Sequence, residues 1–178
     1  MDKNIFSLIV GIFALVGCAQ SPAVTVPQGP VSAQDNLLAQ LPVLETGLVV
    51  SKSTSSPSVL KRSISVNLGE LTVEAPVDAD FTFERLDVLL PNVDITNLRV
   101  MADGSQISTT MPVPGEKNSF SFNLMIPKGS SKKLQIHGDT QNFKGEQLLF
   151  QVTNTTGKLT NGKMYIGRPF IDFALKSE

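Results

Sequence analysis

The sequence predicts an all-β fold, an antiparallel two-sheet β-sandwich of about seven to nine strands, with a closed β-barrel as the alternative. Three observations carry this. Apolar residues recur at every second position in run after run, the spacing that places side chains on one face of a strand. Turn residues interrupt those runs roughly every eight to twelve residues. No helical crossover pattern stands between them, so neighbouring strands are expected to run antiparallel. Two such sheets, stacked inner face to inner face, bury the apolar set and leave the polar set in water.

The chain opens with MDKNIFSLIVGIFALVG, residues 1–17, which carries Lys3 and then a mostly apolar run of 13 residues from Ile5 to Gly17. A bilayer-spanning helix needs about 20. The apolar side chains go all the way round instead of forming one face, so a buried amphipathic helix does not fit. This is the pattern of a secretory signal peptide, removed on export. Residues 18–42 follow as a Pro/Ser-rich spacer with Pro22, Pro27, Pro30 and Pro42 and very little charge. Proline fixes φ and removes a donor, so the segment is expected to be extended and irregular. Roughly twenty residues at about 3.1 Å each would reach about 60 Å. Asp35 to Gln40 has room for one helical turn.

Residues 43–178 are the strand-rich domain. Ile64, Val66 and Leu68 alternate with Ser63, Ser65 and Asn67, and after Gly69 the parity switches to Leu71 and Val73. A glycine at a parity switch predicts a bulge or bend. Phe81 and Phe83 are followed out of phase by Leu86, Val88 and Leu90. The cleanest alternation is Phe120, Phe122, Leu124 and Ile126. Leu134 and Ile136, then Leu148, Phe150 and Val152, then Ile171, Phe173 and Leu175 supply further strands. Asp103-Gly104 suits a tight hairpin, Pro112 to Gly115 a longer loop, and Pro127-Lys128-Gly129-Ser130 a turn. Asn154 to Gly157 and Asn161-Gly162 are read as turns of the same kind.

Composition narrows the function classes. Lys and Arg number 15 against 16 Asp and Glu, which gives no basic stripe to neutralise phosphates and no expectation of a nucleic-acid partner. Ten Phe and one Tyr stand with no Trp. Most of the Phe alternate with polar residues and so suit strand cores better than stacking platforms. The single cysteine, Cys18, excludes an intramolecular disulfide and a multi-cysteine zinc site.

Leu15-Val16-Gly17-Cys18 resembles the lipobox of bacterial lipoproteins, an aliphatic residue, a tolerant position, Gly or Ala, then Cys. The match sits directly after a charged start and an apolar run. The resemblance implies that the Cys18 thiol receives a diacylglyceryl group, that the chain is cut just before Cys18, and that the new N-terminus is acylated, commonly with palmitate. One acyl chain binds a bilayer only marginally, and two or more anchor stably. It further implies an extracytoplasmic, lipid-anchored protein of the cell envelope. Aspartate after the lipidated cysteine favours inner-membrane retention in bacteria with two membranes; Ala19 stands there instead, which points to the outer membrane in such an organism.

A second resemblance runs through residues 47 to 156. Leu68-Gly69-Glu70-Leu71-Thr72-Val73-Glu74-Ala75, Ile95-Thr96-Asn97-Leu98-Arg99-Val100, Asp103-Gly104, Phe120-Ser121-Phe122 and Ile126-Pro127-Lys128-Gly129-Ser130 look like an Ig-like sandwich module recurrent in bacterial surface and secreted proteins. Such modules are generally non-enzymatic spacers or adhesive units. The resemblance implies fold and surface location, and no catalytic residue.

Three constellations carry possible chemistry. His137 and Asp139, two apart on a predicted strand, would share a face and with a serine make a hydrolase triad, although no Gly-x-Ser-x-Gly elbow accompanies them. Asp78 and Asp80 would share one face at spacing two, and Asp103 and Asp139 lie in other loops; loop ends of sandwiches supply calcium, which takes six to eight oxygens, although no Asp-x-Asp-x-Asp-Gly loop is present, and the bland reading is turn capping. Lys132-Lys133, Lys61-Arg62 and Lys128 would touch anionic polymers or lipid headgroups, or guard edge strands against pairing. Asn154-Thr155-Thr156 matches a glycosylation sequon and is read as part of a turn. The expectation is a non-enzymatic, structural or adhesive lipoprotein without a cofactor, its partners the bilayer through Cys18 and a protein or cell-wall polymer. A polysaccharide- or calcium-binding module is the alternative, and a small hydrolase using His137 ranks third.

Overall fold

The computed structural model describes residues 48–91 and 94–178. The expected leader at 1–17, the expected lipidation site Cys18 and the expected spacer at 18–42 lie outside the described residues. The described chain is all-β. Its eleven strands are β1 (Val49–Lys52), β2 (Val59–Leu60), β3 (Val66–Glu74), β4 (Phe81–Leu89), β5 (Thr96–Ala102), β6 (Ser105–Gln106), β7 (Lys117–Ile126), β8 (Ser131–Asp139), β9 (Gln147–Leu159), β10 (Met164–Gly167) and β11 (Ile171–Ser177). The count exceeds seven to nine because β2 and β6 are two residues long and β1 and β10 four, too short to show a period.

One sheet has the order β1-β3-β8-β5-β6. The other has β2-β11-β9-β4-β7, with β10 also paired to β9. Among the described residues each keeps two unpaired edges, so the fold is a sandwich and not a closed barrel. Pairing is antiparallel throughout except for β2 against β11, which is parallel. The core lies between the sheets. Leu71, Val73, Val100, Leu134 and Ile136 come from the first; Phe81, Phe83, Leu86, Phe120, Phe150 and Phe173 come from the second. Each fully buried side chain of this size contributes roughly 1.5–3 kcal/mol.

Both phase changes in the sequence are irregularities of register. The β3–β8 register slips between Asn67 and Gly69, and Leu68 and Leu71 are both buried as a result. Gly69 is required by close approach: a Cβ there would come within 2.7 Å of the Phe173 ring, which stacks on Phe150 at 4.6 Å. In β4 the register slips between Phe83 and Arg85, so that the Phe pair and the Leu86, Val88, Leu90 set all reach the core. The Asp103-Gly104 hairpin forms as expected, with both residues at positive φ, the conformation of a type I′ turn.

Three expectations are corrected. Ile64 is 65% exposed and precedes β3, because Ser65 at φ 56° turns the chain out of the extended region. Asn154 to Gly157 form no turn but run through β9, at 13 residues the longest described strand. Lys132 and Lys133 guard no edge, since β8 lies between β3 and β5; they pair with Asp103 and Glu70 instead.

Candidate functional site

The four aspartates do not converge. Asp78 and Asp80 occupy the loop between β3 and β4, not a strand, so their spacing of two does not align them. They help line an open cavity of about 430 Å³ with Lys128 and Asn161. Asp80 serves the loop itself: its Oδ1 accepts the Lys128 N–H at 2.9 Å and its carbonyl accepts the Thr160 N–H at 3.0 Å. Asp103, in the β5–β6 hairpin, is paired with Lys132 Nζ at 2.5 Å. Asp139 ends β8, about 23 Å along the strand from Lys132 at about 3.3 Å per residue. Among the described residues no group of three or more metal-ligating side chains forms. With Asp80, Asp103 and Asp139 each committed to partners of their own, the melting temperature is expected to be unchanged by calcium; a rise with calcium and not magnesium would contradict this reading, because a ligand that binds only the native state must stabilise it.

His137 and Asp139 do not form a dyad. Asp139 accepts from the Ser65 N–H at 2.8 Å and from Asn97 Nδ2 at 2.7 Å, pinning two residues that stand at positive φ. Those two hydrogen bonds, Asn97 first, hold its carboxyl below the ordinary aspartate value. His137 Nε2 lies 3.3 Å from Gln135 Oε1, and its Nδ1 is buried without a partner. Burial, reinforced by the Arg99 charge, lowers its pKa and favours the neutral ring. The carboxylate needed to orient a catalytic imidazole is thus committed to the backbone of a neighbouring segment.

A different polar cluster was not singled out in the sequence. The bulge at Gly69 sends Leu71 and Val73 inward, so Glu70 faces out, where the segment after β1 covers it to 5% exposure. Its Oε1 accepts from Ser53 Oγ at 2.7 Å, from Ser55 Oγ and from Lys133 Nζ at 3.0 Å; its Oε2 accepts from Gln135 Nε2 at 3.0 Å. Burial alone would raise the carboxyl pKa, but the hydrogen bonds from Gln135, Ser55, Ser53 and Lys133 outweigh it and take the value down to about 2. This carboxylate is a clamp between the segment after β1, β3 and β8.

The outer face of the second sheet also pairs its polar groups, with Gln151 Nε2 donating to Asp172 Oδ1 at 2.7 Å, but it leaves apolar groups open beside them. Register sets Asp172 on β11, Gln151 on β9, Leu89 on β4 and Lys117 on β7 in one row across it. In the next row Asp87 faces Asn154 and Ser119. Arg85 binds Asp87 bidentately, at 2.7 and 3.1 Å, and donates to Ser119 Oγ at 3.0 Å. Burial pulls the Asp87 carboxyl up, yet hydrogen bonds from Arg85, Ser119 and Asn154 keep it below its ordinary value.

Phe170 stands beside these rows. β10 and β11 pair with successive stretches of β9, Gly167 opposite Thr155 and Ile171 opposite Val152, so they would be one strand but for Arg168-Pro169-Phe170. Proline removes a ladder donor, and three residues bulge where β9 supplies two. Phe170 leaves this bulge at φ 46° and is 58% exposed. A bulky residue with positive φ is a conformational outlier. Two open cavities meet on this face. One, of about 450 Å³, is lined by Phe170, Arg85, Asp87, Lys117, Leu89 and Gln151. The other, of about 330 Å³, is lined by Leu89 and Gln151 again with Leu149, Pro91, Asp172 and Ala174. In sequence, Pro169 between two strand-like stretches is the signal of this interruption.

No family model matches the chain, and no curated protein matches it. Among solved structures it is similar to one titled "X-ray structure of Northeast Structural Genomics Consortium target SoR45", at 9% identity and a TM-score of 0.42, covering 75% of this chain and 89% of that one.

Proposed function

We propose that this protein is a lipid-anchored, extracytoplasmic lipoprotein of the cell envelope whose β-sandwich is a non-enzymatic interaction module. Acylated Cys18 is the tether, residues 18–42 the spacer, and the folded domain the part that meets a partner, either a protein or a cell-wall polymer. In an organism with two membranes the anchor is in the outer one. The observation that supports the interaction role is the contrast between the two outer faces. On the first sheet the charged groups Glu70, Lys133, Asp139 and Arg99 are spent on one another and on the backbone. On the second, a cleft lined by half-buried and exposed apolar groups, Leu89, Leu149 and Phe170, lies open beside a fixed ion pair.

Intact-mass spectrometry of the protein purified from its native membrane tests the anchor. The expected species begins at Cys18 and carries a diacylglyceryl group and an N-terminal acyl chain. Replacing the thiol, Cys18→Ser, is expected to leave the leader uncut or the product unacylated, and to shift the protein out of the membrane fraction, since no other acyl site is available to a chain with one cysteine. A full-length, unacylated polypeptide in the cytosol of the native host would refute the reading.

A further inference from the structure

We infer that the outer face of the second sheet binds a neutral polysaccharide, with Phe170 as the stacking platform and Arg85, Asp87 and Gln151 as the hydroxyl-recognising groups. The inference rests on the interaction-module reading and names its ligand. Charge is the first argument. Around the paired cavities stand Arg85 and Lys117 against Asp87 and Asp172, two of each sign, so the cleft has no net charge with which to select an anionic or cationic polymer.

Backbone accounting is the second. The cleft lies on the face of strands whose N–H and C=O groups are consumed in the β4–β7, β4–β9 and β9–β11 ladders. An extended peptide binds by adding its own main chain to such a ladder at an edge. Here it would find only side chains, and its backbone groups would lose water without replacement. A sugar chain has the opposite needs. Its hydroxyls pair well with planar side-chain groups, and its rings present apolar C–H faces.

Geometry is the third. Cavities of about 450 and 330 Å³ share Leu89 and Gln151, which makes one elongated cleft suited to successive units of a linear polymer. At one end an aromatic ring is exposed; its electron-rich face attracts C–H groups that carry slight positive charge. Arg85 is fixed by the two hydrogen bonds to Asp87, so less order is lost when it engages a hydroxyl. The bulge that aims Phe170 keeps a costly φ of 46°, strain of the sort that persists at binding sites.

Native affinity electrophoresis tests this, with the full mature chain in detergent micelles run through gels holding laminarin, galactomannan, xylan or dextran, and through gels holding alginate. Retardation by at least one neutral polymer is expected. Phe170→Gly is expected to weaken it by about tenfold, the size of one lost stacking contact, while melting at or above the native temperature because the strain at this position is relieved. Phe170→Tyr should keep the retardation. Retardation by none of the neutral polymers, or by alginate alone, overturns the inference, as does a Phe170→Gly variant that binds as well as the native chain. If no neutral polymer is retained but a protein is cross-linked on whole cells in a Phe170-dependent way, the glycan assignment falls and the interaction module stands.

Discussion

Gly157→Ala is expected to destabilise the domain by about 3 kcal/mol, although it adds one methyl group in the middle of a strand where alanine is ordinarily acceptable. A Cβ at this position would lie 2.3 Å from the Thr82 carbonyl oxygen and 2.4 Å from Phe81 Cζ. The carbonyl is fixed within β4, a central strand paired on both sides. The ring cannot retreat either, because Phe81 is fully buried, with Phe83 at 6.2 Å and Tyr165 at 5.8 Å between ring centroids. The added methyl therefore has to separate β4 from β9 or displace a fully buried phenylalanine of the core. Gly162→Ala is the matched control. It stands at φ 82° with nothing within 4 Å of the added atom, so only the left-handed conformation is penalised, at about 1 kcal/mol. Urea denaturation of the two variants measures the difference, and equal losses at both positions would show that close approach is not what selects glycine at 157.

Acid is expected to unlock the Glu70 clamp. The carboxyl has a folded value of about 2 against 4.5 for the free side chain. A depressed folded pKa means that the unfolded chain takes up the proton first as pH falls. The stabilisation is thus complete above about 4.5 and is lost as pH drops through about 2. Its size is about 2 kcal/mol after discounting for the exposed Lys133 partner, which water and salt screen. Asp87 and Asp139 are also held low and weaken the protein over an acid range of their own, so the comparison that isolates Glu70 is native against Glu70→Gln. At neutral pH the variant is expected to be the less stable by about 2 kcal/mol, because an amide cannot accept from Ser53, Ser55, Lys133 and Gln135 together. Near pH 2 the two should converge. A gap that stays constant from pH 6 to pH 2 would mean that the carboxylate charge is not what holds the clamp.

The candidate site was legible only in fragments. His137 and Asp139 share a strand, and the spacing that suggested a dyad was read correctly as far as it went. What defeated it is that Asp139 lies at the strand end, within reach of Ser65 and Asn97, residues 74 and 42 positions away. Glu70 gave a hint, a carboxylate in the otherwise apolar run LGELTV, but its partners come from the segment after β1 and from β8. Phe170 was one of ten phenylalanines; Pro169 before it marked a break in the strand, but nothing local marked its ring as the one exposed among the described residues.

Sequence alone determined the longer strands, the two phase changes and the Asp103-Gly104 hairpin. These are local properties: alternation, turn chemistry and hydropathy act over a handful of residues, and a short window contains all the physics involved. Tertiary structure decided which glycine bends the chain and which makes room for a neighbour. Gly104 turns a hairpin because of its own φ, whereas Gly157 lies in a straight strand because Phe81, 76 positions earlier, needs the space. Excluded volume between strands far apart in the chain leaves no periodic trace, and the same holds for the cleft at Phe170, which exists only once β4, β9 and β11 lie side by side.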